Sequence, residues 1–203
     1  MPILIRPAVY SDIPYLYEIC LKTGDSGKDA SALFNDPCLL GQYYAAPYLF
    51  YDPSLCFIAE NDLTPEGYII ATADTEAFNT WMEKEWLPPL RRRYPQPYPQ
   101  ERLKSPEEAH SISRIHSSHL PVADPWQAAY PAHLHIDLLP SLQGKGSGRA
   151  LMETLFKKLE EIHCPGIQLG VSGTNIGAIG FYKKLGFSIL EEKTWGLQMG
   201  KAI

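Results

Sequence analysis

From residue 133 to residue 150 an apolar run passes directly into a glycine-rich loop and then a helical pattern. Residues 133–139 read as a strand, and Leu138-Leu-Pro-Ser-Leu-Gln-Gly-Lys-Gly-Ser-Gly-Arg-Ala150 sets Gly144, Gly146 and Gly148 just ahead of the helix. Glycines let a backbone approach an anion closely, and the first N–H groups of a helix have no partners of their own. The helix dipole adds partial positive charge, and Ser147 and Arg149 open the helix itself. Lys145 and Arg149 bring two full charges. The layout suits a phosphate cradle, and spacing narrows the kind. In a nucleotide loop of the G-x-x-x-x-G-K-[ST] type a Ser or Thr follows the Lys, whereas Gly146 follows Lys145. A dinucleotide fingerprint is G-x-G-x-x-G at the start of a parallel repeat; the spacing here is G-x-G-x-G and falls late in the chain. Gln143-x-x-Gly146-x-Gly148 remains. The plainer reading is a tight strand-to-helix turn with no ligand, and a second block weighs against it.

That block is Asn175-Ile-Gly-Ala-Ile-Gly-Phe-Tyr182-Lys-Lys-Leu-Gly-Phe187. It reads as strand, helix, strand: residues 167–171 are a short apolar strand, and Asn175 or Thr174 caps a helix. Gly186 ends the helix as a left-handed cap, and residues 187–190 open the next strand. The two blocks, in this order, resemble the signatures of the GNAT N-acetyltransferase superfamily, with Gln143 where Arg is commoner. The resemblance implies an α/β (α+β) fold: a central, mixed, mostly antiparallel sheet with helices on both faces.

A chain of 203 residues is long enough for one sizeable core, so residues 1–203 are expected to form a single domain. A net charge of −5 argues against nucleic acid as a general partner. No apolar run approaches the length of a membrane span, and the opening residues lack the pattern of a secretory signal. Cys20, Cys38, Cys56 and Cys164 are scattered without C-x-x-C spacing and read as reduced, partly buried thiols. The expected location is cytoplasmic, or nucleocytoplasmic if the source is eukaryotic. No metal is implied: His110, His116 and His119 match no usual ligand spacing and read as surface-loop histidines. Oligomeric state is not legible, and a homodimer stays open.

Along the chain, residues 3–5 read as a first strand, and Ser11 as the cap of a helix over 12–21. Thr23-Gly-Asp-Ser-Gly-Lys-Asp29 is a polar loop. Residues 30–48 read as helix in pieces, broken near Pro37 and Pro47. Residues 55–60 and 67–73 form a hairpin whose poor alternation implies that both faces are buried. Residues 75–131 are an aromatic, proline-rich insert, expected to pack as an excursion over the surface. Residues 75–87 look helical, 88–99 cannot be regular throughout, and Ser105 and Pro106 start a helix over 105–117. Residues 147–162 form the main helix, with Leu151, Leu155, Leu159 and Ile162 inward. Residues 194–199 form a last strand.

A narrower likeness lies in Ile5-Arg-Pro7, Thr23-Gly-Asp-Ser-Gly-Lys-Asp-Ala30, Leu40-Gly41, Pro47-Tyr-Leu49 and Trp86-Leu-Pro-Pro-Leu-Arg-Arg-Arg-Tyr-Pro95. These resemble the C-terminal acetyltransferase-like domain of eukaryotic O-GlcNAcase and its free-standing microbial relatives. Since Gln143, Gly146 and Gly148 are kept, the chain resembles the members able to bind acetyl-CoA.

The resemblance implies acetyl-CoA as cosubstrate, held by Ile136, Leu138 and Leu139 of a splayed strand, by the loop over Gln143, Gly144, Lys145, Gly146, Ser147, Gly148 and Arg149, and by Asn175, Phe181 and Tyr182. Tyr182 sits where the family has its general acid; its plain reading is a packed helix aromatic. Asn175 either contacts pantetheine or a water, or caps the helix, or both. If the strand over 133–139 is regular, His133, His135 and Asp137 share a face. Asp137 is the first candidate for general base and His135 the second; alternatively Asp137 orders a loop or pairs with a cation. On the acceptor side, Asp25 and Asp29 would attract a cationic amine, or else cap the following helix. Trp81 and Trp86, with Tyr94 and Tyr98, would line an apolar cleft. The function implied is N-acetyl transfer to a small-molecule or peptide amine by direct attack in a ternary complex. The alternative is a catalytically silent module that binds acetyl-CoA or recognises a protein or glycan.

Overall fold

The computed structural model describes residues 3–117 and 124–203. One sheet of seven strands organises them: β1 (Leu4–Pro7), β2 (Cys56–Asn61), β3 (Thr64–Thr72), β4 (Ala132–Leu138), β5 (Gly166–Ser172), β6 (Ser188–Lys193) and β7 (Gly196–Ala202). Their order across the sheet is β1-β2-β3-β4-β5-β7-β6. Every neighbouring pair is antiparallel except β4 and β5, which are parallel.

Helices cover both faces, so β2 and β3 read as continuous apolar runs. Ile58, Tyr68 and Ile70 turn to one face, and Phe57, Ala59, Ile69 and Ala71 to the other. The second face is closed by α7 (Ser147–Glu161), through Leu151, Met152, Leu155 and Leu159, and by α8 (Ile176–Lys184), through Tyr182. Ile162 does not join this stripe: it follows the last turn of α7 and is 46% exposed.

The first face carries α1 (Ile13–Thr23), α2 (Leu39–Tyr44) and α3 (Ala46–Tyr51). The start of α1 departs from a simple Ser11 cap. A short 3-10 turn, Tyr10–Asp12, precedes it, and Arg6 holds buried Asp12 through two bonds of 2.7 and 2.8 Å. Pro47 lies inside the first turn of α3, where its missing N–H has no helical partner to lose.

The insert supplies α4 (Thr75–Trp81), a π-helical turn (Met82–Trp86), α5 (Leu87–Arg93) and α6 (Pro106–His116). It is no surface excursion: Phe78, Met82, Leu87, Leu90, Tyr94, Ile112 and Ile115 are buried in the core of the first face. Pro88 and Pro89 fall at the N-terminal end of α5, which is why a proline pair does not end the helix there. Ser105 caps α6 by accepting from Glu108 N–H, as its sequence implies. No helix among the described residues is long and apolar enough to cross a membrane.

Candidate active site

Strands β4 and β5 pair at only two positions, Ala132 with Ile167 and His133 with Gln168, and then diverge. Between the diverging halves lies a cleft of about 1250 Å³ that reaches both faces of the sheet. Leu139 N–H donates to Glu66 O at 2.9 Å, on the β3 side. Peptide groups alternate along a strand, so those of Ile136 and Leu138 point away from β3 and into the cleft. Leu138 O takes a bond of 2.9 Å from Gln143 Nε2. Leu139 differs from Ile136 and Leu138: its N–H belongs to the sheet, and it is not among the residues that line the cleft.

The glycine loop closes one end. Gly144 and Gly146 adopt left-handed φ of +71° and +87°, and a Cβ on either would meet nothing within 4 Å, so both face open space. Gly148 has the opposite role: a Cβ there would lie 3.2 Å from Leu138 Cδ1 and 3.2 Å from Phe181 Cζ, a tight fit in which those side chains would have to give by a few tenths of an ångström. The first helical bond of α7 runs from Ala150 N–H to Gly146 O, which leaves the N–H groups of Ser147, Gly148 and Arg149 to whatever sits before the helix. The Ser147 hydroxyl is already bonded to Leu142 O at 2.9 Å, so that residue offers only its backbone. Gln143 and Arg149 line the cleft, with Arg149 also 3.0 Å from Glu153; the exposed Lys145 lies beside the lining, not in it. The open space at Gly144 and Gly146, together with free helix N–H groups and a guanidinium, fits a pyrophosphate.

In the middle of the cleft stand Asp137, His135, Tyr182, Phe181 and Cys20. Tyr182 is buried, and burial pushes its phenol well up, with Asp137 adding to the shift. It is a protonated group at neutral pH. Asp137 is raised by burial, an effect that the hydrogen bond from Tyr68 only partly offsets. Burial drives His135 down to about 4 and His133 to about 3, so both rings are neutral near pH 7. His133 shares the Asp137 face as the strand parity implies, but its two ring nitrogens meet Tyr48 Oη at 2.6 Å and Thr75 Oγ1 at 2.8 Å. It belongs to the packing under α3 and α4.

Asn175 Oδ1 accepts from Ala178 N–H at 3.1 Å and so caps α8. Its side-chain nitrogen points toward the Gly27 loop, and the residue also lines the cleft.

The other end of the cleft is walled by residues 23–27 and by α6. The polar loop is pinned by two bonds between the backbones of Asp25 and Lys28, of 3.0 and 2.9 Å, with Ser26 and Gly27 at positive φ. Asp25 lines the cleft. Asp29 does not: its carboxylate accepts from Ser31 N–H at 2.8 Å and shapes the next turn. Trp81 and Trp86 also lie elsewhere. Trp86 donates its indole N–H to Gln42 O at 2.8 Å and packs on Phe50, and Trp81 packs against Tyr51 and Phe78. Both tryptophans are partly buried and pack against the edge of the first-face core, where large aromatic faces are shielded from water and the one polar atom of Trp86 finds its partner.

The insert reaches the cleft through α6 instead, with Glu107, His110 and Ser111. The inward residues of that helix are Glu108, Ile112 and Ile115, which turns the neighbouring stripe toward the cleft. His110 and His116 are thus helical, not loop, residues, and His116 Nε2 is 2.6 Å from Tyr94 O; His119 lies outside the described residues. The sequence reading also missed Tyr68, whose place beside Asp137 depends on strand register.

A sheet opened between two parallel strands, with a glycine loop and helix N-terminus at the opening, defines a protein that holds a long phosphorylated cosubstrate through its sheet. Residues 28–187 match the model of the acetyltransferase (GNAT) family, and the chain belongs to that family. It is an acetyltransferase whose acetyl donor is acetyl-CoA. The chain is similar over its whole length to the crystal structure of SsHAT, at 34% identity, with 98% of that chain covered and a TM-score of 0.87. The same fold appears at 15% identity in PaiA N-acetyltransferase from Thermoplasma acidophilum in complex with coenzyme A, with 100% of each chain covered and a TM-score of 0.59. It also appears in YncA, a putative acetyltransferase from Salmonella typhimurium with its cofactor acetyl-CoA, at 15% identity and a TM-score of 0.56, covering 100% of this chain and 94% of that one.

Proposed function

We propose that this chain moves the acetyl group of acetyl-CoA onto a cationic amine by direct attack in a ternary complex. The observation that carries the reading is the splay of β4 from β5, which joins the glycine loop to an acidic wall through one cleft, with Asp137 and Tyr182 between them. Gln143, Gly144, Gly146, Gly148, Arg149 and the start of α7 hold the pyrophosphate, and the peptide groups of Ile136 and Leu138 hold the pantetheine arm. Bound there, acetyl-CoA supplies an activated thioester carbonyl. An acceptor amine arrives protonated and must lose a proton before it can attack. Asp137 takes that proton on its carboxylate, and a carboxyl raised by burial is a stronger base than an ordinary one. His135 is the poorer base, because burial holds its ring at about 4. A backbone N–H on β4 aimed at the acetyl carbonyl is a donor whose loss costs about 10²–10³ in rate. Tyr182 gives its phenolic proton to the departing sulfur.

Asp25 and Glu107 make the acceptor wall acidic. Asp25→Asn is expected to raise the acceptor KM about two- to fivefold, the scale of one solvent-exposed charge contact, with acetyl-CoA affinity unchanged. Asp29→Asn, on the far side of its turn, leaves both constants at wild-type values. Steady-state kinetics with separate titration of each substrate checks both.

The proposal is tested by incubating the protein with acetyl-labelled acetyl-CoA and a panel of diamines, amino sugars, lysine peptides and peptide N-termini. Label on the nitrogen of a cationic member, with release of coenzyme A, supports it. Binding of acetyl-CoA with no labelled acceptor across the panel supports a silent binding module instead.

A further inference from the structure

Tyr68 is the bulkiest fully buried side chain among the described residues, and its ring lies in the core of the first face. Phenylalanine would pack there equally well, so the hydroxyl needs its own explanation. A buried hydroxyl without a partner is costly. Its partner is Asp137, the residue directly opposite on β4 in the β3–β4 register, and the phenol donates to Asp137 Oδ2. A cross-strand pair of this kind is fixed by the ladder rather than by a flexible rotamer.

We propose that Tyr68 is a positioning residue: its phenol fixes the Asp137 carboxyl in the cleft wall and holds it in the charged, proton-accepting form. The inference rests on the reading of Asp137 as the base. Donation from a phenol favours the carboxylate over the acid, and this bond opposes the burial that pushes Asp137 up. The other groups around Asp137 do not duplicate the effect. From α1, Cys20 is held neutral by burial, and the Thr23 hydroxyl donates to Ile19 O at 2.8 Å within its own helix. His135 on β4 is neutral, and so are Tyr182 on α8 and Tyr44 on α2, the latter pushed up to about 12. Arg114 of α6 sits over the rings of Tyr43 and Tyr44, and its charge also acts on His135. Asp25, Glu107 and His110 stand on the outer wall.

The test reads the carboxyl itself. With aspartate labelled at the ¹³Cγ position, the Asp137 resonance is identified by its loss in Asp137→Asn and followed across pH by NMR. In Tyr68→Phe the midpoint is expected to move up by about one pH unit or more. Biosynthetic replacement of tyrosine by 3-fluorotyrosine, a stronger donor of nearly the same shape, is expected to move it down, and it gives a second answer if Tyr68→Phe does not fold. An unchanged midpoint in the folded variants overturns the inference. The base reading fails by a different result: wild-type rates of acetyl transfer in Asp137→Asn across the labelled amine panel, whatever the titration shows.

Discussion

Tyr182→Phe is expected to lower turnover by about 10²-fold or more while leaving acetyl-CoA affinity within about twofold of wild type. The ring stays packed between Phe181 and Phe187, at centroid distances of 5.4 and 5.6 Å, so the substitution removes one proton and little else. The leaving thiolate then departs without a proton from this chain. An effect confined to the chemical step appears in kcat and in kcat/KM together, with no change in the dissociation constant for acetyl-CoA. Single-turnover kinetics with calorimetry separate the two quantities, and circular dichroism confirms the fold. Unchanged turnover assigns Tyr182 to the core of the second face.

Gly146→Asp is expected to abolish the stabilisation that acetyl-CoA gives the wild-type protein, about 2.7 kcal/mol at a ligand concentration 100 times its dissociation constant. The φ of +87° at Gly146 charges any side chain a strain of about 1–2 kcal/mol, so stability without ligand falls as well. Gly146→Asn separates the causes. Asparagine and aspartate meet similar strain, so both variants lose similar stability when free. Only the aspartate sets a negative charge in the open space before α7, where the pyrophosphate would sit. The ligand-induced shift in melting temperature is therefore reduced in Gly146→Asn and absent in Gly146→Asp. Equal shifts in the two variants would remove the charge argument.

What the sequence made legible is local. Gly144, Gly146 and Gly148 mark backbone that needs positive φ or close approach, and neither demand depends on the rest of the fold. Asn175 and Gly186 bracket α8 by capping rules that operate within one turn. The Leu151, Leu155 and Leu159 stripe is read from helical period, and Ile162 fails because the helix ends one residue before it. The acceptor side was less legible, because distant segments build it. Trp81 and Trp86 have the same composition whether they line this cleft or pack against a core elsewhere, and their place is set by α3 and by the Gln42 carbonyl. Asp29 and Asp25 lie in one loop, yet a single hydrogen bond to Ser31 turns the first away. The α6 wall depends on which side of that helix Ile112 and Ile115 bury. Tyr68 beside Asp137 is a fact of register, and register is not written in either strand alone.

The central claim is that the cleft between β4 and β5 is the acetyl-CoA site. Calorimetric titration of acetyl-CoA into the intact protein tests it most directly. The expected result is saturable binding, one molecule per chain, retained in Tyr182→Phe and lost in Gly146→Asp. No binding to the wild-type protein, or equal binding to wild type and Gly146→Asp, would contradict it.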